Sequence, residues 1–471
     1  MIHLSQLAPV VNGQLINQQD AVFQGVSINT RAECGERLFV ALKGENFDAH
    51  DFIDQAQKAG SSAVMVERPV ESEMPALLVQ DTHKALTEMA AWWRAQFVIP
   101  LVGVTGSVGK TSVKEMLGSI FAQIGDGVVT QGNLNNEIGV PLTLMRLDSQ
   151  AQYAVVEMGM NHAGEISRIT NMARPTIALI NNAAAAHLEG LGTIEAVADA
   201  KGEIFEGLAD DGIAIINDDD SFAEKWKALA VKHKILTFSL CASKRACEEA
   251  QSDVVASYRL KKDRLVLRVN AMGETFKVRL STVGEHNARN ALAAITTAVA
   301  ANISIDKIQA GLEAYRPISG RLNLNQIGET LLIDDTYNAN PLSMLAAIKV
   351  LTQYDDQTLI VGDMAELGSA VESEHRALGK AAAEHGVNRL LACGEYAKLV
   401  VDAFNESASS DAPSGYAFAK QAELIEFAVT HICGGAVLVK GSRSAKMEIV
   451  IDSLKKTLLT PNISNGRKRE C

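Results

Sequence analysis

Gly103-Val104-Thr105-Gly106-Ser107-Val108-Gly109-Lys110-Thr111-Ser112 is the stretch that decides the fold. It follows the apolar run Leu101 to Val104, which reads as a buried strand, and leads into a helical pattern. A glycine-rich turn from strand to helix presents unpaired backbone N–H groups and the positive end of a helix dipole, a setting for phosphate oxygens. Gly106, Ser107, Val108, Gly109, Lys110, Thr111 and Ser112 are therefore expected to bind ATP. Lys110 would reach the β- and γ-phosphates, Thr111 would place its hydroxyl on Mg²⁺, and the glycines would admit the phosphates to the backbone. The form is GxxGxxGK[TS]; the standard register would put its first glycine at Val104. A merely structural Gly-rich turn is the competing reading, and the flanking strand and helix weigh against it.

Outward from the loop, strand-like runs at Ala154 to Glu157, Thr176 to Ile180 and Ile213 to Ile216 alternate with helical stretches. That is the pattern of an α/β protein with a mostly parallel, doubly wound sheet. The chain turns β-rich from Val254 to Leu280, and helical patterns at His286 to Ala300 and Asp306 to Ala314 close a central P-loop ATPase domain, placed at 84–316. After Pro317 to Gly320, strands at Leu331 to Asp334, Leu359 to Val361, Arg389 to Ala392 and Ala436 to Val439 alternate with helices, giving a Rossmann-like C-terminal domain at 317–460. Upstream, Ser27 to Val79 reads as a small α/β N-terminal domain at 1–83, joined through the helix-like run Lys84 to Gln96. Residues 461–471 are polar and basic and read as a flexible tail.

Bulk properties agree with three domains, since 471 residues exceed what one core organises. Forty-four basic against 56 acidic residues give a net charge of −12, which disfavours nucleic acid and anionic membranes as partners. Six scattered cysteines without a CxxC pair suggest neither a zinc site nor a disulfide framework. Met1 to Val10 lacks the basic and apolar regions of a signal peptide, and no apolar run reaches membrane-spanning length, so a cytoplasmic protein without membrane insertion is expected.

Glu157 ends an apolar strand, which in open α/β sheets points toward the ligand crevice, so it could ligate Mg²⁺; alone it would read as a solvated strand-end carboxylate. His187, downstream of the strand ending at Ile180, could face the same crevice or be structural. Lys201 lies in the helix-like run Thr193 to Leu208 and on pattern alone reads as a surface lysine.

Further segments carry a resemblance. They are Leu38-Phe39-Val40-Ala41-Leu42-Lys43-Gly44, Gly132-Asn133-Leu134-Asn135-Asn136-Glu137-Ile138-Gly139-Val140-Pro141, Met158-Gly159-Met160-Asn161-His162-Ala163-Gly164-Glu165, Asp335-Thr336-Tyr337-Asn338-Ala339-Asn340-Pro341, Gly362-Asp363-Met364-Ala365-Glu366-Leu367-Gly368 and Lys440-Gly441-Ser442-Arg443-Ser444. With the phosphate loop, this ordered set resembles the Mur ligases of bacterial cell-wall synthesis over nearly the whole chain. The resemblance implies an N-terminal domain holding a UDP-sugar, a central ATPase domain and a C-terminal domain that closes over the nucleotide. It implies Mg²⁺ ligation, with two ions expected, by Thr111, Glu157, His187 and Lys201, the last as a CO₂-derived carbamate whose oxygens can bind metal where an ammonium cannot.

In family terms Asn287 and Asn290 lie near adenine, Arg321 near the phosphates and Asp335 near the ribose. Thr30, Arg31, Lys43, Gly44, Asp48 and His50 are expected contacts of the UDP-sugar or peptide, half of which could instead shape turns. Asn133, Asn135 and Asn136 would orient peptide groups, while Asn338, Asn340, Ser442 and Arg443 would receive the incoming amine, against a reading of turns and caps. Within the family the set implies the member that adds D-Ala-D-Ala to UDP-MurNAc-tripeptide through an acyl phosphate, as a monomer with small-molecule partners only. A folylpolyglutamate-type ligase would not need residues 1–83, and the diaminopimelate-adding type carries an Asn-Pro-Arg triplet absent from the C-terminal part of this chain. A P-loop regulatory ATPase, hydrolysing ATP without forming a bond, is the rival from another class.

Overall fold

The computed structural model describes residues 1–16, 20–31, 34–185, 188–261, 264–408 and 414–459. Three main sheets organise the chain in sequence order: five strands at the N-terminus, nine in the centre and six at the C-terminus, with a two-stranded ribbon of Ile2–His3 and Val22–Phe23 beside the first.

The central sheet places Leu101–Thr105 between Ala154–Glu157 and Ile177–Ile180, parallel to both. Strands Ile213–Asn217, Lys234–Leu240 and Val254–Lys261 extend the parallel run beyond Ile177–Ile180, and Arg264–Ala271 and Glu274–Leu280 add an antiparallel meander. The chain runs toward opposite edges on the two sides of Leu101–Thr105, so its carboxyl end lies at a topological switch point, where open α/β sheets form their ligand crevice. The strands are buried on both faces, and their apolar runs divide with period 2. Leu101, Ala154, Val156, Ala178, Ile180, Ala214 and Ile216 pack on one side, with helices Thr82–Arg94, Glu165–Ala173 and Ile194–Gly202. Val102, Val104, Val155, Ile177, Leu179 and Ile215 pack on the other, with Lys110–Phe121 and Glu285–Ala300.

In the N-terminal sheet, Leu38, Val40, Met65 and Leu77 join the first of these clusters, whereas Phe39, Val64 and Val66 form a small cluster of their own. The cores of the first and second sheets are therefore continuous. The run expected at Lys84 to Gln96 is the helix Thr82–Arg94, started two residues earlier because the Asp81 carboxylate accepts Lys84 N as a cap. Arg94 ties it to the carboxyl end of helix Glu165–Ala173, on the same face of the central sheet, by donating from Nε to Ala173 O (3.1 Å).

The C-terminal sheet is parallel except for its edge strand Asn323–Ile327, and helices cover both faces. Strands Thr330–Asp335 and Gly435–Lys440 are direct neighbours in register, so Asp335 and Lys440 face each other at adjacent carboxyl ends. No helix among the described residues is long and apolar enough to cross a membrane.

Candidate active site

The carboxyl ends of the central and C-terminal sheets border one cleft of about 1250 Å³. Its floor is the phosphate loop. Gly109 adopts φ +81° at the start of helix Lys110–Phe121, and a Cβ there would sit 2.3 Å from Asn290 Oδ1 and 2.7 Å from Asn181 Nδ2, so only glycine fits. The segment after strand Ile177–Ile180 braces the loop. Ser107 N donates to Asn182 O (3.0 Å) and Val108 N to Asn182 Oδ1 (2.9 Å). Ser107 Oγ donates to Ala184 O (3.1 Å) and accepts Ala184 N (2.9 Å). Asn181 Nδ2 donates to Val108 O and to Asn290 Oδ1, both at 3.0 Å. Asn181 and Asn182 were not singled out from the sequence; their signal was the pair of amides directly after the strand that leads to His187. Lys110 Nζ folds back to donate to Gly106 O (2.6 Å). Burial pushes this ammonium toward the neutral form, Glu157 opposes the shift and Arg321 adds to it.

Glu157 stands beside the loop, 2% exposed. Its Oε1 accepts Asn135 Nδ2 (2.8 Å) and lies 3.4 Å from Thr111 Oγ1, while its Oε2 is buried without any hydrogen-bond partner. A buried carboxylate oxygen left unpaired is costly, and a hard cation is what such an oxygen satisfies. The residues present thus fit Mg²⁺: one carboxylate, one hydroxyl, and room for phosphate oxygens. Among the described residues no cluster of three His, Cys, Asp or Glu side chains converges. His187 lies outside the described residues.

The surface reading of Lys201 is overturned. It is 1% exposed, at the end of helix Ile194–Gly202, and the helical run expected through Leu208 ends there in a short 3₁₀ turn, Glu203–Phe205. Burial, with Lys110 nearby, drives its amine well below the ordinary lysine range. A helix-face pattern does not tell which face a neighbouring element covers.

The opposite wall comes from the C-terminal sheet. Arg321 reaches across with Nη2 to Thr111 Oγ1 (3.4 Å), lies 4.2 Å from the centre of the Tyr337 ring, and keeps a buried Nε unpartnered. Asp335 is held by Lys440, Oδ2 to Nζ at 2.7 Å, and by Leu322 N on Oδ1 (3.2 Å). Lys440 Nζ also donates to Asn338 O (2.8 Å). Facing this pair from the central helix, His286 is pushed down to about 4 by burial, with Asp335 pulling it up and Lys440 pressing it down. Asn287 and Asn290 are buried at the start of the same helix, Asn287 Nδ2 donating to Thr282 Oγ1 (3.0 Å) and Val283 O (2.8 Å).

Other expected contacts divide. Asn133, Asn135, Asn136, Asn338, Asn340 and Arg443 line the cleft. Asn136 Oδ1 also accepts Gly139 N (2.9 Å), and Asn340 caps helix Pro341–Leu351 in a reciprocal box with Ser343, so both shape backbone as well. Ser442 is buried behind the wall, 3.0 Å from Ser444 Oγ. Thr30, Arg31, Lys43, Gly44, Asp48 and His50 lie away from this cleft, in the N-terminal unit. There Asp48 accepts Arg68 Nη1 (2.7 Å) and His50 N (3.0 Å), with Arg68 holding its carboxyl far below the usual range, and His50 Nε2 accepts Glu67 N (2.8 Å). His50 and Arg68 border a separate hollow of about 260 Å³.

Comparison with known proteins matches residues 104–298 to the Mur ligase middle domain and 320–443 to the Mur ligase glutamate ligase domain. The UDP-N-acetylmuramoyl-tripeptide–D-alanyl-D-alanine ligase of Escherichia coli is 42% identical over 468 residues, 96% of this chain and 98% of that protein. The chain belongs to the Mur ligase family. The Bacillus subtilis ligase of the same name is 32% identical, again over 96% and 98% of the two chains. Among solved structures, MurF from Acinetobacter baumannii superposes with a TM-score of 0.86 at 35% identity, covering 96% of this Mur ligase chain and 98% of that one. MurF from Thermotoga maritima in complex with ADP gives 0.77 at 25% identity, over 92% and 98%.

Proposed function

We propose that this chain is an ATP-dependent ligase adding D-alanyl-D-alanine to UDP-N-acetylmuramoyl-tripeptide in peptidoglycan precursor synthesis. The observation that carries the chemistry is the phosphate loop at the switch point with the unpartnered Glu157 oxygen beside it; whole-length identity to the ligases of that name supports the choice of substrates.

A carboxylate does not react with an amine at neutral pH, so it must first be activated. In this reading the tripeptide carboxylate attacks the γ-phosphorus of ATP, ADP leaves, and an acyl phosphate forms. The free amine of the dipeptide then attacks the acyl carbon, loses a proton, and the tetrahedral intermediate expels phosphate to leave an amide. Protein groups position and neutralise. Lys110 leaves the Gly106 carbonyl for the phosphates, Arg321 offsets charge from the opposite wall, and Asn135 orients Glu157. Asn287 and Asn290 lie at adenine, Asp335 at the ribose, and Asn338, Asn340 and Arg443 at the dipeptide, with Ser442 behind them in the wall. Residues 1–83 hold the UDP-sugar, 84–316 the nucleotide, and 317–460 close the cleft and exclude water that would hydrolyse the acyl phosphate.

Glu157, Thr111 and His187 would hold Mg²⁺, which when bound supplies charge neutralisation along the phosphates. The buried amine of Lys201 is the group that would add CO₂, with release of a proton, and the carbamate so formed would supply oxygens able to hold a second ion. A monomer in the cytoplasm, where ATP and both substrates are small diffusible molecules, completes the reading.

The test is phosphate release with UDP-MurNAc-tripeptide, with and without D-Ala-D-Ala, and mass spectrometry of the product. Dipeptide-dependent release with pentapeptide formation is expected. Release that ignores the dipeptide, with no pentapeptide, would mark a regulatory ATPase instead. For Lys201, the Lys201→Ala chain should be inactive and partly rescued by short carboxylic acids; full unrescued activity ends the carbamate proposal.

A further inference from the structure

One helical turn beyond Lys110 stands Lys114, fully buried on the helix that follows the phosphate loop, a helix that also buries Val113, Met116 and Leu117. Taking an ammonium out of water costs several kcal/mol, and a methionine would fill similar volume without that cost. What the ammonium does is specific. It donates to Thr130 O at 2.8 Å and lies 2.5 Å from Glu115 Oε1.

Thr130 follows the edge strand Val128–Val129 and is itself buried. Its N–H donates to Val155 O (3.0 Å), and its Oγ1 accepts Glu157 N (3.0 Å). From Thr130 the chain enters the loop containing Asn135, whose Nδ2 holds Glu157 Oε1 (2.8 Å) and whose carbonyl accepts Gly159 N (2.8 Å). The backbone and the carboxylate of Glu157 are thus both gripped from one loop, and the root of that loop is gripped by Lys114. This leaves Oε2 buried and unpartnered.

We infer that Lys114 is a positioning residue for the metal-facing carboxylate: through Thr130 it fixes Glu157 and the asparagine loop against the phosphate-loop helix. The inference rests on the reading of Glu157 as a Mg²⁺ ligand. It explains why a lysine, which burial disfavours, occupies a core position on the helix that carries the phosphate-binding lysine. Helix and loop then move as one body, so the carboxylate keeps its distance from Thr111.

The experiment measures Mn²⁺ binding to the full chain with ADP present, by electron paramagnetic resonance, together with thermal unfolding. Five chains are compared: the parent, Lys114→Met, Thr130→Val, Glu115→Gln and Glu157→Gln. Lys114→Met and Thr130→Val reach the same carboxylate through different hydrogen bonds, and each is expected to weaken Mn²⁺ roughly ten- to a hundredfold. Lys114→Met leaves the buried Thr130 carbonyl without its donor and should lower the unfolding temperature modestly, so affinities are compared at a temperature where every chain is folded. Glu115→Gln keeps the bond to Thr130 and should bind Mn²⁺ like the parent. Unchanged affinity in folded Lys114→Met and Thr130→Val chains, alongside a loss in Glu157→Gln, overturns the inference. Unchanged affinity in Glu157→Gln overturns the reading of Glu157 itself.

Discussion

The cleft and the network around His50 in the N-terminal unit both hold polar groups away from water, yet they treat them oppositely. In the cleft, Glu157 Oε2, Asn181 Oδ1 and Arg321 Nε are buried without a partner. In the N-terminal unit, Asp48 is bonded to Arg68 and His50, His50 to Glu67, and Glu67 Oε1 accepts Thr82 N and Oγ1, both at 2.8 Å. Unsatisfied buried polar atoms carry a free-energy cost that a ligand can remove; a saturated network has nothing left to offer and serves to hold backbone. The contrast teaches that the same residue types, aspartate and histidine or glutamate and asparagine, are read for function by their spare hydrogen-bonding capacity rather than by their identity.

Five substitutions would break or sharpen this contrast. The largest effect is expected from Lys440→Met, which strands the buried Asp335 carboxylate and should cost about 3–5 kcal/mol in urea unfolding. Asp335→Asn in the same chain should recover much of it, and a Lys440→Met chain as stable as the parent would remove the ion pair from the account. Next, Lys110→Met should lower kcat by about 10²–10³-fold, the size of losing one preorganised electrostatic group, with the unfolding midpoint unchanged or raised. Parent-like turnover would mean the phosphates are neutralised elsewhere.

A smaller effect concerns pH. His286 falls from its ordinary 6.5 to about 4 on folding, so between those values the unfolded chain binds the extra proton and the folded chain does not. Its contribution is fully present above pH 6.5 and is lost progressively as pH falls toward 4, by at most about 3 kcal/mol. Asp335 and Glu285 favour the proton and Lys440 opposes it, so His286→Phe should flatten the stability profile in that window; an unchanged slope would assign it to other groups. The smallest change is Arg68→Met. With the guanidinium half exposed and screened by water, losing its bond to Asp48 should leave the unfolding midpoint nearly unchanged and the KM for ATP untouched. A shift in that KM would link the N-terminal network to the cleft.

Most strands of the central and C-terminal sheets were legible as apolar runs, because a parallel strand covered on both faces leaves no room for polar side chains. Lys234–Leu240, Asn323–Ile327 and Ser414–Phe418 were not, since each mixes polar residues into its run, nor was the two-residue edge strand Val128–Val129, too short to show a pattern. The phosphate loop announced itself because its chemistry is local: seven consecutive residues supply backbone, charge and hydroxyl. On pattern alone Lys201, Lys114 and Lys440 read as ordinary charged residues, and only the family resemblance drew attention to Lys201 and to the segment of Lys440; all three are buried, Lys440 against a carboxylate 105 residues away.

The sequence by itself determined an α/β chain with a phosphate-binding loop, because hydrophobic period and glycine placement act within a few residues. Only the tertiary structure decided which carboxylate keeps a free oxygen, which lysines lose their water and which asparagines brace the loop. Burial and hydrogen-bond saturation are properties of neighbours in space, and those neighbours are set by how sheets and helices stack.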